Sequence, residues 1–129
     1  MENFNSLGLN KDIIRNLTNL KLIKPTPIQS KAIEPALQGR DILGSAHTGT
    51  GKTAAFGIPL IQKLIENRKL SALILTPTRE LANQVHLSIL DILGKKINIK
   101  STLIIGGESM NKQVNQLKIF PRIIIGTPG

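Results

Sequence analysis

The chain alternates between long segments with a helical spacing of apolar residues and short, nearly continuous apolar runs. Apolar side chains three or four positions apart predict helices over about 11–20, 27–38, 52–67, 79–93 and 109–117. The apolar runs predict strands at 41–46, 71–76, about 99–105 and 122–125. A strand followed by a helix, repeated along a chain, is typical of an α/β fold. We therefore predict a mostly parallel sheet with helices on both faces.

Local signals refine the ends and faces of these elements. Asn10, Thr26 and Thr78 are predicted helix N-caps, and Pro35 is expected to kink or split its helix. Pro59 is expected to bend the helix over 52–67. The strand at 71–76 is expected to be buried. The apolar side of the helix over 79–93 is predicted to consist of Leu81, Val85, Ile89 and Leu93.

The segment 45–53, Ser-Ala-His-Thr-Gly-Thr-Gly-Lys-Thr, stands between a predicted strand and a predicted helix. Its glycines let backbone N–H groups point at an anion, and the helix N-terminus adds positive potential. Lys52 supplies a mobile charge for β- and γ-phosphates, and the Thr53 hydroxyl is placed to hold Mg²⁺. The strict phosphate-loop pattern has glycine where this chain has Ala46. The predicted phosphate-binding residues are Ala46, His47, Thr48, Gly49, Thr50, Gly51, Lys52 and Thr53; a turn of small residues is the alternative.

Composition narrows the classes of protein. At 129 residues the chain is one domain at most, and 40% hydrophobic residues suffice for a core. Aromatic residues make up only 2%, so isoleucine, leucine, valine and alanine must build the interior. The absence of cysteine excludes disulfides, thiolate zinc sites and cysteine nucleophiles. No apolar run approaches the roughly 20 residues of a membrane span, and the N-terminus lacks a signal-peptide core, so we expect a cytoplasmic protein without membrane contact.

The charge balance favours a polyanionic partner. Seventeen lysine and arginine residues against eight acidic ones give a formal charge of +9. A lysine- and asparagine-rich composition bias, combined with loss of an acidic remainder, is the alternative. The basic residues are spread along the chain and give no local signal.

The segment 22–29, Leu-Ile-Lys-Pro-Thr-Pro-Ile-Gln, resembles the Q motif of the DEAD-box RNA helicases. The resemblance implies that the Gln29 amide reads the edge of adenine, because it can donate and accept a hydrogen bond at once. It implies that Phe4, 17 residues before Lys21, packs on the adenine ring, and that Lys24 and Thr26 belong to the same site. The family usually begins this motif with glycine and an aromatic residue, where this chain has Lys21 and Leu22. A helix start with a surface glutamine is the alternative.

Three further elements resemble the same family. Pro77-Thr78-Arg79-Glu80-Leu81-Ala82 matches its PTRELA motif, Gly106-Gly107 its GG element, and Thr127-Pro128-Gly129 the start of its TPGR element. Each follows a predicted strand, at the sheet edge where α/β folds bind ligands. The resemblance implies RNA-backbone contacts by Pro77, Thr78, Arg79, Glu80, Gly106, Gly107, Thr127, Pro128 and Gly129. A capped helix with solvated Arg79 and Glu80 is the alternative.

The resemblance also implies a larger protein. The family's DEAD tetrapeptide, Ser-Ala-Thr motif and second RecA-like domain with its arginine fingers are absent from these 129 residues. We therefore expect an N-terminal fragment: a Q-motif region at 1–40 and a truncated, RecA-like P-loop NTPase domain at 41–129. The parent is expected to be an ATP- and Mg²⁺-dependent RNA helicase, with Lys52 and Thr53 catalytic, whereas the 129-residue chain alone is expected to be inactive.

Two other interpretations remain open from the sequence. A related helicase acting on DNA would carry much the same nucleotide loop. A non-catalytic ATP- or RNA-binding remnant would also fit the missing motifs. RNA-processing or ribosome-assembly proteins are expected partners of the parent if it acts on RNA.

Overall fold

In a computed structural model of the chain, residues 3–46, 51–107 and 109–128 are described. A short 3₁₀ helix, which the apolar pattern did not predict, covers Phe4–Leu7. The α-helices of the described part are α1 Lys11–Asn19, α2 Pro27–Leu37, α3 Lys52–Glu66, α4 Arg79–Leu93 and α5 Met110–Leu117. Its strands are β1 Ala72–Leu75, β2 Ser101–Ile104 and β3 Ile123–Gly126.

The three strands form a parallel sheet in the order β1-β3-β2. Helix α4 connects β1 to β2, and α5 returns the chain from β2 to β3. Because parallel crossovers are right-handed and these two run in opposite directions across the sheet, α4 and α5 lie on opposite faces. The predicted α/β class with a parallel sheet is therefore confirmed.

The predicted strand at 41–46 is wrong. Residues 41–46 carry no regular structure, and the Ile42 and Leu43 side chains are exposed. A strand requires a hydrogen-bonded neighbour, and β1, β2 and β3 pair with one another in the described part of the chain. An apolar run alone does not reveal whether the described part of the chain supplies such a neighbour.

The prediction that β1 is buried holds for one face only. Ile74 is buried, whereas Leu73 and Leu75 are 64% and 60% exposed. Successive side chains of a strand point to opposite faces of the sheet. The crossover through α5 spans β2 and β3, so it leaves the Leu73 face of β1 open.

The sequence signals for helices predicted the structure better than the signals for strands. Asn10, Thr26 and Thr78 each accept a hydrogen bond from a backbone N–H of the first helical turn, as predicted. Pro35 lies inside α2 without splitting it, and Pro59 lies within a continuous α3. The predicted apolar face of α4 is confirmed at Val85, Ile89 and Leu93, which are buried. It is wrong at Leu81, which is exposed, and Ala82 is buried in the first turn instead.

One hydrophobic core joins the N-terminal helices to the sheet region. It brings Ile13 of α1 and Ile33 of α2 against Ile61 of α3, Ile89 of α4 and Ile123 of β3. Hydrogen bonds from α1 to the end of α4, and from the N-cap residue of α1 to α3, reinforce this packing. The proposed division at residue 40 therefore separates two regions that share a core.

Candidate functional site

The N-terminus of α3 lies at the end of the predicted phosphate loop. Gly51 is the N-cap, in the left-handed conformation with φ of 84°, and it makes no side-chain cap hydrogen bond. The first turn contains no acidic residue, and the Lys52 side chain is exposed there. The first N–H groups of a helix lack partners within the helix and carry partial positive charge. This helix end therefore favours an anion.

Gln29 connects the beginning of α2 to this helix end. Its Nε2 donates to the Gly51 carbonyl oxygen at 3.1 Å, across 22 residues of sequence. A Cβ at position 51 would collide with that nitrogen and would lie 3.2 Å from the Thr26 hydroxyl oxygen. The backbone angle thus favours glycine at 51, and a Cβ there would fit only if the Gln29 side chain moved.

The Gln29 side chain is also part of a capping box at the start of α2. Its Oε1 accepts from the Thr26 backbone N–H at 2.9 Å, and its own backbone N–H donates to the Thr26 hydroxyl at 3.4 Å. The residue is only 2% exposed. Each amide atom retains one further donor or acceptor position. The contacts of Gln29 with Thr26 and Gly51 therefore leave its amide able to bind adenine as well. Adenine recognition by Gln29 stays a prediction.

A cleft of about 950 Å³ opens beside these residues. Gln29, Gly51, Lys52 and Thr53 line it on one side, and the end of β1 at 74–77 lines it on another. Mg²⁺ usually keeps several waters and takes one or two protein ligands together with phosphate oxygens. The half-buried Thr53 hydroxyl fits such a ligand. A second, more apolar cleft of about 520 Å³ lies between α2 and α3, and Lys52 lines both.

Not every predicted nucleotide-binding residue lies in this cleft. Phe4 belongs to the core and is only 3% exposed. Lys24 is exposed and is not among the residues that line the cleft, whereas Ala46 is half-buried in the irregular segment before the loop. His47, Thr48, Gly49 and Thr50 lie outside the described residues.

A second group of predicted residues meets at the carboxyl edge of the sheet. Leu75, Gly126 and Ile104 are aligned in register, so the three strands end level. The Arg79 guanidinium donates to the Gly106 carbonyl oxygen at 3.1 Å, which joins the turn after β1 to the turn after β2. Gly107 has φ of 85°, and a Cβ there would collide with the Arg79 guanidinium.

The remaining residues of this edge divide by role. The Thr78 hydroxyl is used as the N-cap of α4, and Pro77 and Glu80 are exposed beside it. Thr127 is half-buried and Pro128 exposed after the central strand, whereas Gly129 lies outside the described residues. The Arg79–Gly106 contact was missed by the sequence analysis. Only the expectation that both turns lie at one sheet edge pointed toward it.

Outside these two groups of residues, the described part of the chain offers few candidate functional side chains. Residues 3–46, 51–107 and 109–128 contain no group of three or more histidine, aspartate and glutamate side chains arranged for a metal. Among these same residues, no helix combines the length and apolar character needed to cross a bilayer. Burial lowers the pKa of His86, whose Nδ1 lies 3.2 Å from the Ser101 hydroxyl.

Comparison with known proteins gives a consistent result. Residues 26–129 match the family described as DEAD/DEAH box helicase. The chain is 50% identical over 129 residues to the ATP-dependent rRNA helicase RRP3 of Saccharomyces cerevisiae, covering 99% of this chain and 26% of that protein. It is 45% identical over 126 residues to the DEAD-box ATP-dependent RNA helicase RhpA of Helicobacter pylori, covering 98% and 25%. The chain thus spans about a quarter of the length of these relatives.

Solved structures extend the likeness to the fold. A DEAD box protein from Methanococcus jannaschii superposes with a TM-score of 0.88 at 44% identity, over 98% of this chain and 35% of that one. A hypothetical ATP-dependent RNA helicase from Sulfolobus tokodaii gives a TM-score of 0.86 at 34% identity, over 94% and 34%.

Proposed function

The chain belongs to the DEAD/DEAH box helicase family, and on that premise we propose that it carries the ATP-binding and RNA-binding surface of an ATP-dependent RNA helicase. The observation that carries the proposal is the junction of Gln29, Gly51 and Lys52 at the uncapped N-terminus of α3. It joins a side chain suited to a base edge with a helix end suited to phosphates.

In this proposal the triphosphate of ATP lies against the N–H groups at the start of α3. Lys52 neutralises the β- and γ-phosphates, and Thr53 provides a hydroxyl ligand for the accompanying Mg²⁺. Gln29 contacts the base. Residues 1–40 thus recognise the base, whereas residues 41–129 hold the phosphates and the nucleic acid.

RNA is proposed to bind along the carboxyl edge of the sheet. Arg79 and the first N–H groups of α4 are suited to phosphate oxygens, which position a strand without reading its sequence. The turn at Gly106-Gly107 and the residues after β3 complete the surface. RRP3 is named as an rRNA helicase and RhpA as an RNA helicase, which favours RNA over DNA and a partner among RNA-processing or ribosome-assembly proteins.

Binding and positioning are what these residues provide. Phosphoryl transfer further requires a group that orients the attacking water, and cationic groups such as arginine fingers that stabilise the transition state. For the 129-residue chain we therefore propose binding without turnover, and ATP-driven RNA remodelling for the whole helicase.

The test is titration of the chain with Mg-ATP by calorimetry, comparing Lys52→Ala with Lys69→Ala. Both changes remove one lysine, but Lys69 lies in the turn after α3, at the opposite end from the site. Loss of a charge-assisted contact should weaken ATP at least about tenfold for Lys52→Ala, with little change for Lys69→Ala. Equal affinities for both variants, or no binding by the unsubstituted chain at millimolar ATP, would contradict the proposal.

A further inference from the structure

The amino edge of the sheet lies opposite the edge that carries Arg79. Ala72, Ile123 and Ser101 are aligned in register, so the three parallel strands begin level with one another. Neighbouring strands lie only about 5 Å apart. The segments immediately before the strands therefore adjoin at this edge.

Arg122 joins these three segments. Its backbone N–H donates to the Lys100 carbonyl oxygen at 3.1 Å, just before β2. Its guanidinium donates to the Asn67 and Leu70 carbonyl oxygens at 2.7 and 3.1 Å, in the turn before β1. One residue before β3 thus fixes the other two segments beside its own.

The joined segments carry further cations. Two stand in the turn before β1, one stands directly before β2, and one stands at the end of α5. Their side chains are all exposed: Arg68, Lys69, Lys100 and Lys118. Basic residues that are far apart in the sequence are thus brought to one edge by the parallel topology.

Neighbouring acids do not neutralise these cations. The segments 67–71, 99–101 and 118–122 contain no acidic residue. Glu66, just before the first of them, accepts a hydrogen bond from Gln62 of its own helix at 2.8 Å. Among the described residues the four cations form no ion pair. Their positive potential is therefore directed to solvent.

An exposed aromatic ring lies in the third segment. Phe120 is 86% exposed, and its φ of 54° is in the left-handed region that bulky residues rarely adopt. Its N–H donates to the Leu117 carbonyl oxygen at 3.0 Å, so the end of α5 supports this conformation. A ring that adds nothing to the core and stands on uncommon backbone points to a role in binding.

Cations beside an exposed ring match the chemistry of a single-stranded nucleic acid. Its phosphates bind lysine and arginine, and its unpaired bases stack on aromatic side chains with little regard to sequence. A duplex keeps its bases stacked on one another and offers none to Phe120. An acidic protein would use the charges without requiring the ring.

We propose that the amino edge is a second surface for single-stranded RNA, separate from the carboxyl edge. Arg68, Lys69, Lys100 and Lys118 contact backbone phosphates, and the Phe120 ring stacks on one unpaired base. RNA held there has a raised effective concentration at the carboxyl edge of the same chain. The surface goes beyond the proposed function and does not depend on ATP binding. It is confined to the segments joined by Arg122, so the turn after α4 lies outside it.

The first experiment places a fluorophore on this surface. The chain contains no tryptophan or tyrosine, so Phe120→Trp provides a single indole, whose emission a stacked base quenches. An unlabelled oligouridylate of about ten nucleotides should quench it. Leu87→Trp is the control, because Leu87 is an exposed residue in the middle of α4, at neither edge. Emission from Phe120→Trp that stays constant while RNA binding saturates would refute the stacking role.

Two competitors separate RNA from other polyanions. Inorganic polyphosphate should displace the oligouridylate and restore the emission, since it binds the cations and has no base. Vesicles containing phosphatidylserine should leave the emission maximum unchanged. A blue shift with the vesicles would identify the edge as a membrane surface and overturn the proposal.

The cations are tested with two charge-matched double variants. Lys100→Ala with Lys118→Ala removes two charges from the amino edge, whereas Lys11→Ala with Lys31→Ala removes two exposed charges from α1 and α2. The salt slope of oligouridylate binding should fall by about 1.4 for the edge pair, about 0.7 for each phosphate contact, and stay constant for the control pair. Equal slopes for the two pairs would mean that only net charge matters, which would refute the surface.

A last comparison separates the two edges. Quenching of Phe120→Trp should persist when Arg79→Ala is added, because the amino edge binds RNA by itself. If Arg79→Ala abolishes the quenching, the indole reports RNA held at the carboxyl edge, and the second surface is refuted. If the quenching persists and Arg79→Ala leaves the salt slope unchanged, the amino edge stands and the proposed carboxyl-edge surface fails.

Discussion

At the scale of single residues, glycine and lysine occupy the same uncommon backbone region for different reasons. Gly51 and Lys21 both have positive φ, at 84° and 63°. At Gly51 the missing Cβ admits the Gln29 amide, so substitution would add a collision to backbone strain. At Lys21 the left-handed position ends α1, and the side chain is exposed. The Lys21 and Leu22 N–H groups donate to the Thr18 and Leu17 carbonyls, which is a Schellman turn with Lys21 in the left-handed position. Such a turn prefers glycine at that position, where the Q motif usually has glycine.

Gly51→Ala should lower the free energy of unfolding more than Gly8→Ala and should also weaken ATP. Gly8 has φ of 70° with no atom within 4 Å of an added Cβ, so Gly8→Ala reports the backbone cost alone, about 1–2 kcal/mol. The excess for Gly51→Ala measures displacement of Gln29. Urea unfolding and ATP titration of both variants provide the check; matching results for the two would mean that Gln29 moves aside without consequence.

Lys21→Gly should stabilise the chain by about 1 kcal/mol, since glycine adopts the left-handed conformation without the penalty of a Cβ. Lys21→Ala removes the same charge but keeps the Cβ, so its midpoint of urea unfolding should stay near that of the unsubstituted chain. A gain for alanine equal to that for glycine would point to the lysine charge as the cause.

At the scale of elements, α3 has two contrasting ends. Its N-terminus makes no side-chain cap hydrogen bond and belongs to the proposed phosphate site. Its C-terminal end is held by Arg122, which precedes β3: Nη2 donates to the Leu64 and Asn67 carbonyls at 2.6 and 2.7 Å, and Nε donates to Leu70 at 3.1 Å. A cation at this end satisfies carbonyls that lack helical partners and matches the helix dipole.

Arg122→Ala should cost about 2 kcal/mol of unfolding free energy, because carbonyls at the end of α3 lose a charged donor. Arg122→Lys should recover only part of this, since one ammonium group cannot span three carbonyls as a guanidinium does. Arg68→Ala, in the exposed turn nearby, is the comparison by urea unfolding. If Arg122→Ala and Arg68→Ala unfold at the same urea concentration, the hydrogen bonds from Arg122 to the three carbonyls do not stabilise the chain.

His86 of α4 faces Ser101 of β2, and burial lowers its pKa. The folded state therefore binds fewer protons than the unfolded state below the ordinary histidine pKa near 6.5, so stability is lost as the pH falls through that value. His86→Gln should flatten the pH dependence between about pH 7 and 5.

Ser101→Ala tests the cause of this pH dependence. It removes the hydrogen bond but leaves the imidazole buried, so the pH dependence should persist. Urea unfolding at several pH values would contradict burial as the cause if Ser101→Ala flattened the dependence as much as His86→Gln.

At the scale of the whole molecule, both the net charge and the topology of the sheet bear on the proposed binding of RNA. The chain carries a formal charge of +9 spread along its length. A parallel sheet places the ends of all three strands at one edge, and Arg79 bridges two of the turns there. The net charge attracts a polyanion in general, whereas Arg79 places one cation at the edge where the RNA surface is proposed.

Arg79→Ala should weaken RNA binding by a similar factor for different sequences and lower the salt slope by about one. Lys95→Ala removes one charge just beyond the C-terminus of α4, the end opposite Arg79, and should leave the slope near that of the unsubstituted chain. Fluorescence titrations of two unrelated single-stranded RNAs over a range of salt provide the measurement. A loss confined to one RNA would indicate a base contact instead.

Much of this molecule was predictable because the relevant interactions are local. Helix caps such as Asn10, Thr26 and Thr78 depend on hydrogen bonds within three residues, so their sequence signals survive in the folded chain. The same holds for Gly51 before the helix that begins at Lys52. The positions of Gln29 and Arg79 in the motifs were also readable from the sequence.

Contacts between distant parts of the chain were not readable. The run at 41–46 has the composition of a strand, yet a strand exists only with a paired neighbour. Exposure of Leu73, burial of Phe4 and the bridge from Arg79 to Gly106 each depend on which element packs alongside. The sequence by itself determined the helices, their caps and the order of the motifs, since these follow from bonds between near neighbours. Only the tertiary structure decided strand pairing, the faces left open, and the contacts of Gln29 with Gly51 and of Arg79 with Gly106, because these depend on residues far apart in the chain.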